Sequence, residues 1–193
     1  MPRGWFWLDV SVKAALIGLL VLGAAATNMP QFEGKAMAGR AATFWIPAAL
    51  VPVIWWLWFR QRSYPWALDV LIVLPFLIDA AGNAANLYDT ISWWDDANHL
   101  VNWCILTLAI GLLLVRLRPR LQPWIVFGLA IGFGAVTAIL WELGEYVTFI
   151  RGNANELATA YTDTLGDLTL GLAGSALAAA FTAWRAARPS DRG

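Results

Sequence analysis

Six apolar runs, each long enough to cross a membrane as a helix, constrain the fold of this 193-residue chain more than any other feature. A spanning helix needs about 20 residues, because the hydrocarbon core is roughly 30 Å thick and a helix rises about 1.5 Å per residue. Windows of that length predict spans at residues 8–28, 43–59, 66–86, 98–115, 124–148 and 163–184. Since lipid satisfies no backbone hydrogen bonds, the pattern predicts an all-α bundle of six transmembrane helices.

The composition also indicates a polytopic membrane protein. Hydrophobic residues make up 60% of the chain and charged residues only 13%, whereas soluble domains average about 25% charged residues. The six runs leave no room for a second unit, so we expect one integral membrane domain over residues 1–193. The first run lacks a clean cleavage site and precedes five more, which favours a retained helix over a signal peptide. No basic stretch suits nucleic-acid binding, and membrane lipids are the expected partners.

Positive charges concentrate on one side of the predicted spans. Lys and Arg in short loops stay in the cytoplasm, so their distribution predicts the orientation. One set of loops and ends holds Arg3, Arg60, Arg62, Arg116, Arg118, Arg120, Arg185, Arg188 and Arg192. The opposite loops hold only Lys35, Arg40 and Arg151. We therefore expect both termini in the cytoplasm and most acidic residues at the outer face.

Acidic side chains recur at the outer ends of four consecutive spans. Within each span they are spaced by three or four residues, so they share one helix face. The residues concerned are Asp79 with Asn83 in span three, Asp95, Asp96 and His99 in span four, Glu142 and Glu145 in span five, and Asp163 and Asp167 in span six. These spacings predict that several carboxylates and the single histidine meet at one membrane depth.

Helix capping explains only part of this pattern. A carboxylate at a helix start accepts hydrogen bonds from free backbone N–H groups, so Asp95 or Asp96 could cap span four and Asp163 could cap span six. Glu142 and Glu145 lie near the end of a helix, where a negative charge opposes the helix dipole. Carboxylates at this depth are costly without positive partners, and the outer loops offer few. A bound cation or protons would supply the missing charge.

The donor set suits a hard divalent ion. One imidazole with several carboxylate oxygens is typical of sites for Mg²⁺, Mn²⁺, Ca²⁺ or a carboxylate-bridged iron pair. We predict five ligands, with Glu142 as a general base and three further side chains that orient the ligands. The predicted ligands are Asp96, His99, Glu145, Asp163 and Asp167, and the orienting side chains are Asp79, Asn83 and Asp95.

Three motifs in the second half of the chain, "DDANHL", "WELGEY" and "DTLGDLTLGLAGS", resemble the YjdF-like, DUF2238 group of bacterial inner-membrane proteins. The similarity covers about residues 90–178. It implies a small multi-pass protein of the bacterial inner membrane and supplies no reaction. It also implies that six side chains form one constellation: Asp96, His99, Glu142, Glu145, Asp163 and Asp167.

Three functions are compatible with these patterns. The first is a metal-dependent membrane enzyme, a hydrolase or transferase that acts at the outer face on a lipid headgroup or another amphiphile. The second is a cation- or proton-coupled transporter, which would need a polar path through the inner halves of the spans. The third is a structural or interaction protein that holds a structural metal, as a homo-oligomer or with a membrane partner.

Overall fold

The computed structural model describes residues 3–33, 35–148 and 150–188. Its helices are α1 (Arg3–Ala25), α2 (Met37–Thr43), α3 (Trp45–Ile54), α4 (Trp66–Ala84), α5 (Leu87–Thr90), α6 (Trp94–Leu117), α7 (Pro123–Thr148) and α8 (Ala154–Ala187). A π-helical turn at Trp55–Phe59 extends α3, and a 3₁₀ turn at Ile150–Gly152 follows α7. Within these ranges there is no strand, which confirms the all-α prediction.

Among the residues that the structure describes, six segments are long and apolar enough to cross a membrane, as predicted. They are Gly4–Ala25, Met37–Phe59, Trp66–Ala84, Trp94–Leu117, Pro123–Gly152 and Ala154–Ala187. The last begins at Ala154 rather than at residue 163, because Asn153 caps it by accepting a hydrogen bond from the Asn155 amide at 3.1 Å. Hydropathy windows missed this polar first part of the helix. The cytoplasmic location of both termini stays a prediction.

The bundle is assembled around α6. This helix packs along α8 and α7, and α4 joins the three to α1. In the middle of the α6–α8 contact, the Thr107 hydroxyl donates to Ser175 Oγ at 3.1 Å. A Cβ at Gly174 would overlap the backbone carbonyl of Leu100, so glycine is needed where the two helices approach most closely.

Large apolar side chains cover the outside of the bundle. Trp58 and Trp124 are each 70% exposed, and Leu177 is 64% exposed. Aromatic side chains near span ends are typical of the membrane interface, and exposed aliphatic ones are typical of the lipid-facing surface. The protein is therefore a multi-pass membrane protein whose outer surface contacts lipid.

Candidate metal centre

His99 lies near the start of α6 on its buried face, with only 6% of its surface exposed. Three carboxylates surround its ring, each with an oxygen 3.7 Å from a ring nitrogen. Asp95 and Asp167 face Nε2, and Glu142 faces Nδ1. Because these residues belong to α6, α8 and α7, the helix packing described above assembles the cluster.

Two groups of potential ligand atoms share His99. Asp95, His99 and Asp167 form one, and His99, Glu142 and Glu145 form the other. Within each group, one donor atom from each residue lies within 4.8 Å of the others. Two oxygens bound to one Mg²⁺ or Ca²⁺ lie at most about 4–5 Å apart. The spacing in either group is therefore compatible with a single ion.

Nδ1 of His99 is a buried polar atom that has no hydrogen-bond partner among the described residues. Such atoms are rare in folded proteins, because an unpaired buried donor or acceptor loses its hydration without replacement. Glu142 Oε1, 3.7 Å from Nδ1, is too far away for a hydrogen bond. An ion between Nδ1 and the carboxylates of α7 would give all of these atoms a partner.

Two predicted ligands lie elsewhere. Asp96 and Asp163 are exposed and belong to neither group of ligand atoms. Asp95, four residues before His99, lies on the same helix face as the imidazole, whereas Asp96 is rotated away from Asp95 by about 100° around the helix axis. The structure therefore brings Asp95, which was predicted only to orient ligands, to the position expected of Asp96.

The predicted caps are wrong for both helices. Trp93 is the N-cap of α6 and makes no side-chain cap bond, so neither aspartate of that first turn caps the helix. α8 is capped by Asn153, and Asp163 lies well inside that helix. The acids were thus correctly located near one end of the bundle, but their local role was inferred from helix boundaries that hydropathy places imprecisely.

Asp79 has a basic partner of its own. Arg40 Nε donates to Asp79 Oδ2 at 2.9 Å, and the Tyr88 hydroxyl donates to Oδ1 at 2.8 Å. Asn83 Nδ2 donates to the backbone carbonyl of Asp79 at 2.9 Å. Asp79 and Asn83, which were predicted to orient metal ligands, are thus held in a network beside His99 in which arginine balances the charge.

Tyr88 connects this network to α6. Burial, together with the neighbouring carboxylate of Asp79, raises the pKa of the Tyr88 phenol, so this group stays protonated and donates its hydrogen bond. The side-chain amide of Asn98 donates in turn to the Tyr88 hydroxyl. Tyr88 was not predicted to belong to the site, and Arg40 was considered only as a positive charge in a loop. A lone arginine near acid-rich span ends was the signal that could have identified Arg40.

A cavity of about 400 Å³ adjoins the cluster. Asp95, His99 and Glu145 line one end of it. Apolar side chains of α3, α4, α6 and α7 line most of the remainder, among them Ile46, Leu50, Ile72, Leu106, Phe133 and Leu140. Small-molecule sites usually have volumes of roughly 300–1,000 Å³. The cavity therefore has the size of a ligand site, with a charged end and an apolar body.

The fold and the site define a polytopic α-helical membrane protein with a buried cluster of carboxylates around one histidine. The family DUF2238, described as a predicted membrane protein, matches residues 12–188, and the chain belongs to this family. The match covers the amino-terminal half as well as residues 90–178, which carried the resemblance in the sequence. Neither a curated protein nor a solved structure matches the chain.

Proposed function

We propose that this protein binds a divalent cation between His99, Glu142 and Glu145 and uses it to act on the headgroup of an amphiphile in the adjoining cavity. The observation that carries the proposal is the unpartnered Nδ1 of buried His99, which faces carboxylates from α7. A neutral imidazole has one lone pair for a metal and one N–H to donate. Asp95 and Asp167, near Nε2, would accept that N–H and orient the ring.

The charge of the cluster supports a cation. With Glu145, the three carboxylates around the His99 ring make a cluster of four acids, and among the described residues no Lys or Arg forms an ion pair with them. Carboxylates at this depth are costly when uncompensated, and a divalent ion would offset two negative charges. Imidazole with carboxylates suits Mn²⁺ or Fe²⁺, while Mg²⁺ and Ca²⁺ favour oxygen ligands more strongly.

The residues around the cavity support chemistry on a headgroup. A divalent ion supplies Lewis acidity that polarises a phosphoryl or carbonyl oxygen or activates water. Asp95 lines the cavity with a side chain 45% exposed, so it is placed to accept a proton from an attacking nucleophile. Glu142, which was predicted as the base, is buried against Nδ1 and is assigned here as a ligand. The reaction class that fits is hydrolysis or group transfer.

The apolar body of the cavity favours this function over transport. Leu50, Ile72 and Leu106 belong to the apolar lining of the cavity. The buried hydroxyl of Thr182 donates within α8, to the carbonyl of Ala178 at 3.0 Å, and Thr107 donates to Ser175. These hydroxyls are fully buried and none of them lines the cavity, so they do not continue its polar end through the bundle. We also propose a location in the inner membrane of a bacterium, as the sequence resemblance implies, with the cluster at the outer face, as the distribution of loop charges predicts.

Electron paramagnetic resonance of the protein reloaded with Mn²⁺ tests the site. Nitrogen coupling from a bound imidazole should accompany the Mn²⁺ signal in the wild type and in Asp96→Asn. Glu142→Gln should lose most of the bound Mn²⁺, and His99→Gln should lose the nitrogen coupling. Bound Mn²⁺ that lacks nitrogen coupling in the wild type would contradict the assignment of His99.

Proximity of the ion to a headgroup is a separate measurement. In ³¹P nuclear magnetic resonance, Mn²⁺ at this site should broaden the phosphorus signal of a short-chain phospholipid bound to the wild type. Glu142→Gln should abolish the broadening and Asp163→Asn should retain it. Equal broadening in all three proteins would show that the ion acts from bulk solution and would overturn the amphiphile part of the proposal.

A further inference from the structure

A second cavity, of about 230 Å³, lies toward the other end of α6. Leu50 and Ile72 line both cavities, so the two share walls in the apolar middle of the bundle. Two charged side chains line the second cavity, Arg62 and Arg116, and both are basic. Along α6, Arg116 lies about 25 Å from His99, at 1.5 Å per residue. The two cavities thus carry opposite charge near opposite ends of the bundle.

Local structure holds Arg62 at the rim of this cavity. The indole N–H of Trp55 donates to the backbone carbonyl of Arg62 at 3.0 Å, and the Trp55 and Tyr64 rings pack edge to face at 5.2 Å. The Arg62 guanidinium lies 5.9 Å from the centre of the Phe59 ring. Both Trp55 and Phe59 belong to the π-helical turn at the end of α3, a feature that often marks functional positions.

Arg62 and Arg116 are available for a ligand. Both are exposed, and neither forms an ion pair with an acid in the described part of the chain. Arg116 lies one residue before the end of α6, and Arg62 follows the span Met37–Phe59. Both therefore lie near span ends on the same side of the bundle, at the level where lipid headgroups begin.

We propose that this cavity binds one anionic phospholipid, with its phosphate between Arg62 and Arg116 and an acyl chain against the apolar wall. Guanidinium groups bind phosphate through paired N–H donors, and a phosphate diester without a choline cation keeps its negative charge available to both of them. Leu68, Ile110 and Leu113 supply apolar surface for the chain. Free phosphate would gain nothing from that surface, which is why a lipid is the occupant that fits both parts of the cavity.

The test compares two double variants with the same net charge. Arg62→Gln/Arg116→Gln removes the guanidiniums that line the cavity, whereas Arg60→Gln/Arg118→Gln removes two arginines that do not line it. Each purified full-length protein is titrated with phosphatidylglycerol and with phosphatidylcholine in detergent micelles, and the bound lipid is counted by native mass spectrometry. Inorganic phosphate is added as a competitor.

The wild type and the Arg60/Arg118 variant should each retain one phosphatidylglycerol in preference to phosphatidylcholine. The Arg62/Arg116 variant should bind phosphatidylglycerol about tenfold or more weakly. Leu113→Phe, which fills the cavity without changing charge, should also weaken binding, and millimolar inorganic phosphate should not compete. Equal losses in the two double variants would overturn the proposal in favour of surface charge. Equal retention of phosphatidylcholine, or displacement by phosphate, would also overturn it.

Discussion

The protein buries two clusters of carboxylates, one around a lysine and the other around a histidine. In the first, Lys13 of α1 donates to Asp9 at 3.1 Å and also to Asp69 of α4, and the Tyr64 hydroxyl donates to Asp69. Asp69 is fully buried and Asp9 is 4% exposed. The acids of this cluster therefore share a cation supplied by the chain itself.

The cluster around His99 has the same kind of acids, but no Lys or Arg in the described part of the chain forms an ion pair with them. Its oxygens stand 3.7 Å from the imidazole rather than at hydrogen-bond distance. Asp79, ten residues beyond Asp69 on the same helix, is in turn paired with Arg40. Where the bundle buries an acid against a basic side chain, the contact is close. The open spacing around His99 leaves room for the proposed ion, and four experiments test this difference between the clusters.

Replacing Lys13 should have the largest effect on the free energy of unfolding. Lys13→Met keeps the length of the side chain but leaves Asp9 and Asp69 without their cation. Breaking a buried ion pair on one side costs about 3–5 kcal/mol, since the remaining charges stay desolvated. Unfolding titrations in detergent should show a loss of that order. The double variant Lys13→Met/Asp69→Asn should recover part of it, and an unchanged unfolding midpoint in the single variant would contradict the role of Lys13.

Added Mn²⁺ should stabilise the protein by binding to the cluster around His99 and not to the cluster around Lys13. A ligand that binds only the folded state at about 100 times its dissociation constant stabilises it by about 2.7 kcal/mol. Thermal unfolding of the wild type should therefore move to higher temperature with Mn²⁺. Glu142→Gln should lose this shift and Lys13→Met should keep it. A shift of equal size in Glu142→Gln would place the ion outside the histidine cluster.

Neutralising one acid in each cluster should give effects of opposite sign in the presence of a chelator. Asp69→Asn removes the charge that Lys13 contacts and should cost about 1–3 kcal/mol. Among the described residues no Lys or Arg pairs with Glu142, so Glu142→Gln removes repulsion between acids and should raise the stability without metal. Chemical unfolding of both variants in chelator measures the two values side by side. Comparable losses would mean that Glu142 already has a positive partner.

The smallest effects on stability and on Mn²⁺ affinity are expected for the exposed acids Asp96 and Asp163. Asp96→Asn and Asp163→Asn should each change stability by no more than about 0.5 kcal/mol, as usual for surface substitutions. Their affinities for Mn²⁺, measured by isothermal titration, should stay within about threefold of the wild type. A tenfold loss in either variant would restore that residue as a ligand, as the sequence alone suggested.

Much of this architecture could be predicted from the sequence, because it depends on local patterns. The six spans follow from run length and hydropathy, and the polar faces of Glu142/Glu145 and Asp95/His99 follow from helical spacing. Which of Asp95 and Asp96 faces His99 was harder to predict, because adjacent residues differ by about 100° in their direction around the helix axis. An error of one residue in helix phase therefore exchanges a residue that faces His99, such as Asp95, for one that faces away from it, such as Asp96.

Ion pairs between residues of different helices could not be predicted from the sequence, for a different reason. Lys13 lies inside an apolar run, and its contact with Asp69 depends on the way α1 packs on α4. Arg40 and Asp79 are likewise brought together by tertiary packing and by no sequence spacing. Asp9 lies four residues before Lys13, so both are on one face of α1. This spacing was the local signal of a buried ion pair.

The most direct test of the central claim is the number of divalent ions bound per chain, measured by elemental analysis of protein purified without chelators and of protein reloaded with Mn²⁺. We expect one ion per chain in the wild type, in Asp96→Asn and in Lys13→Met. The double variant Glu142→Gln/Glu145→Gln should lose that ion. A folded wild type that holds no stoichiometric ion even after reloading would contradict the assignment of this cluster as a metal centre.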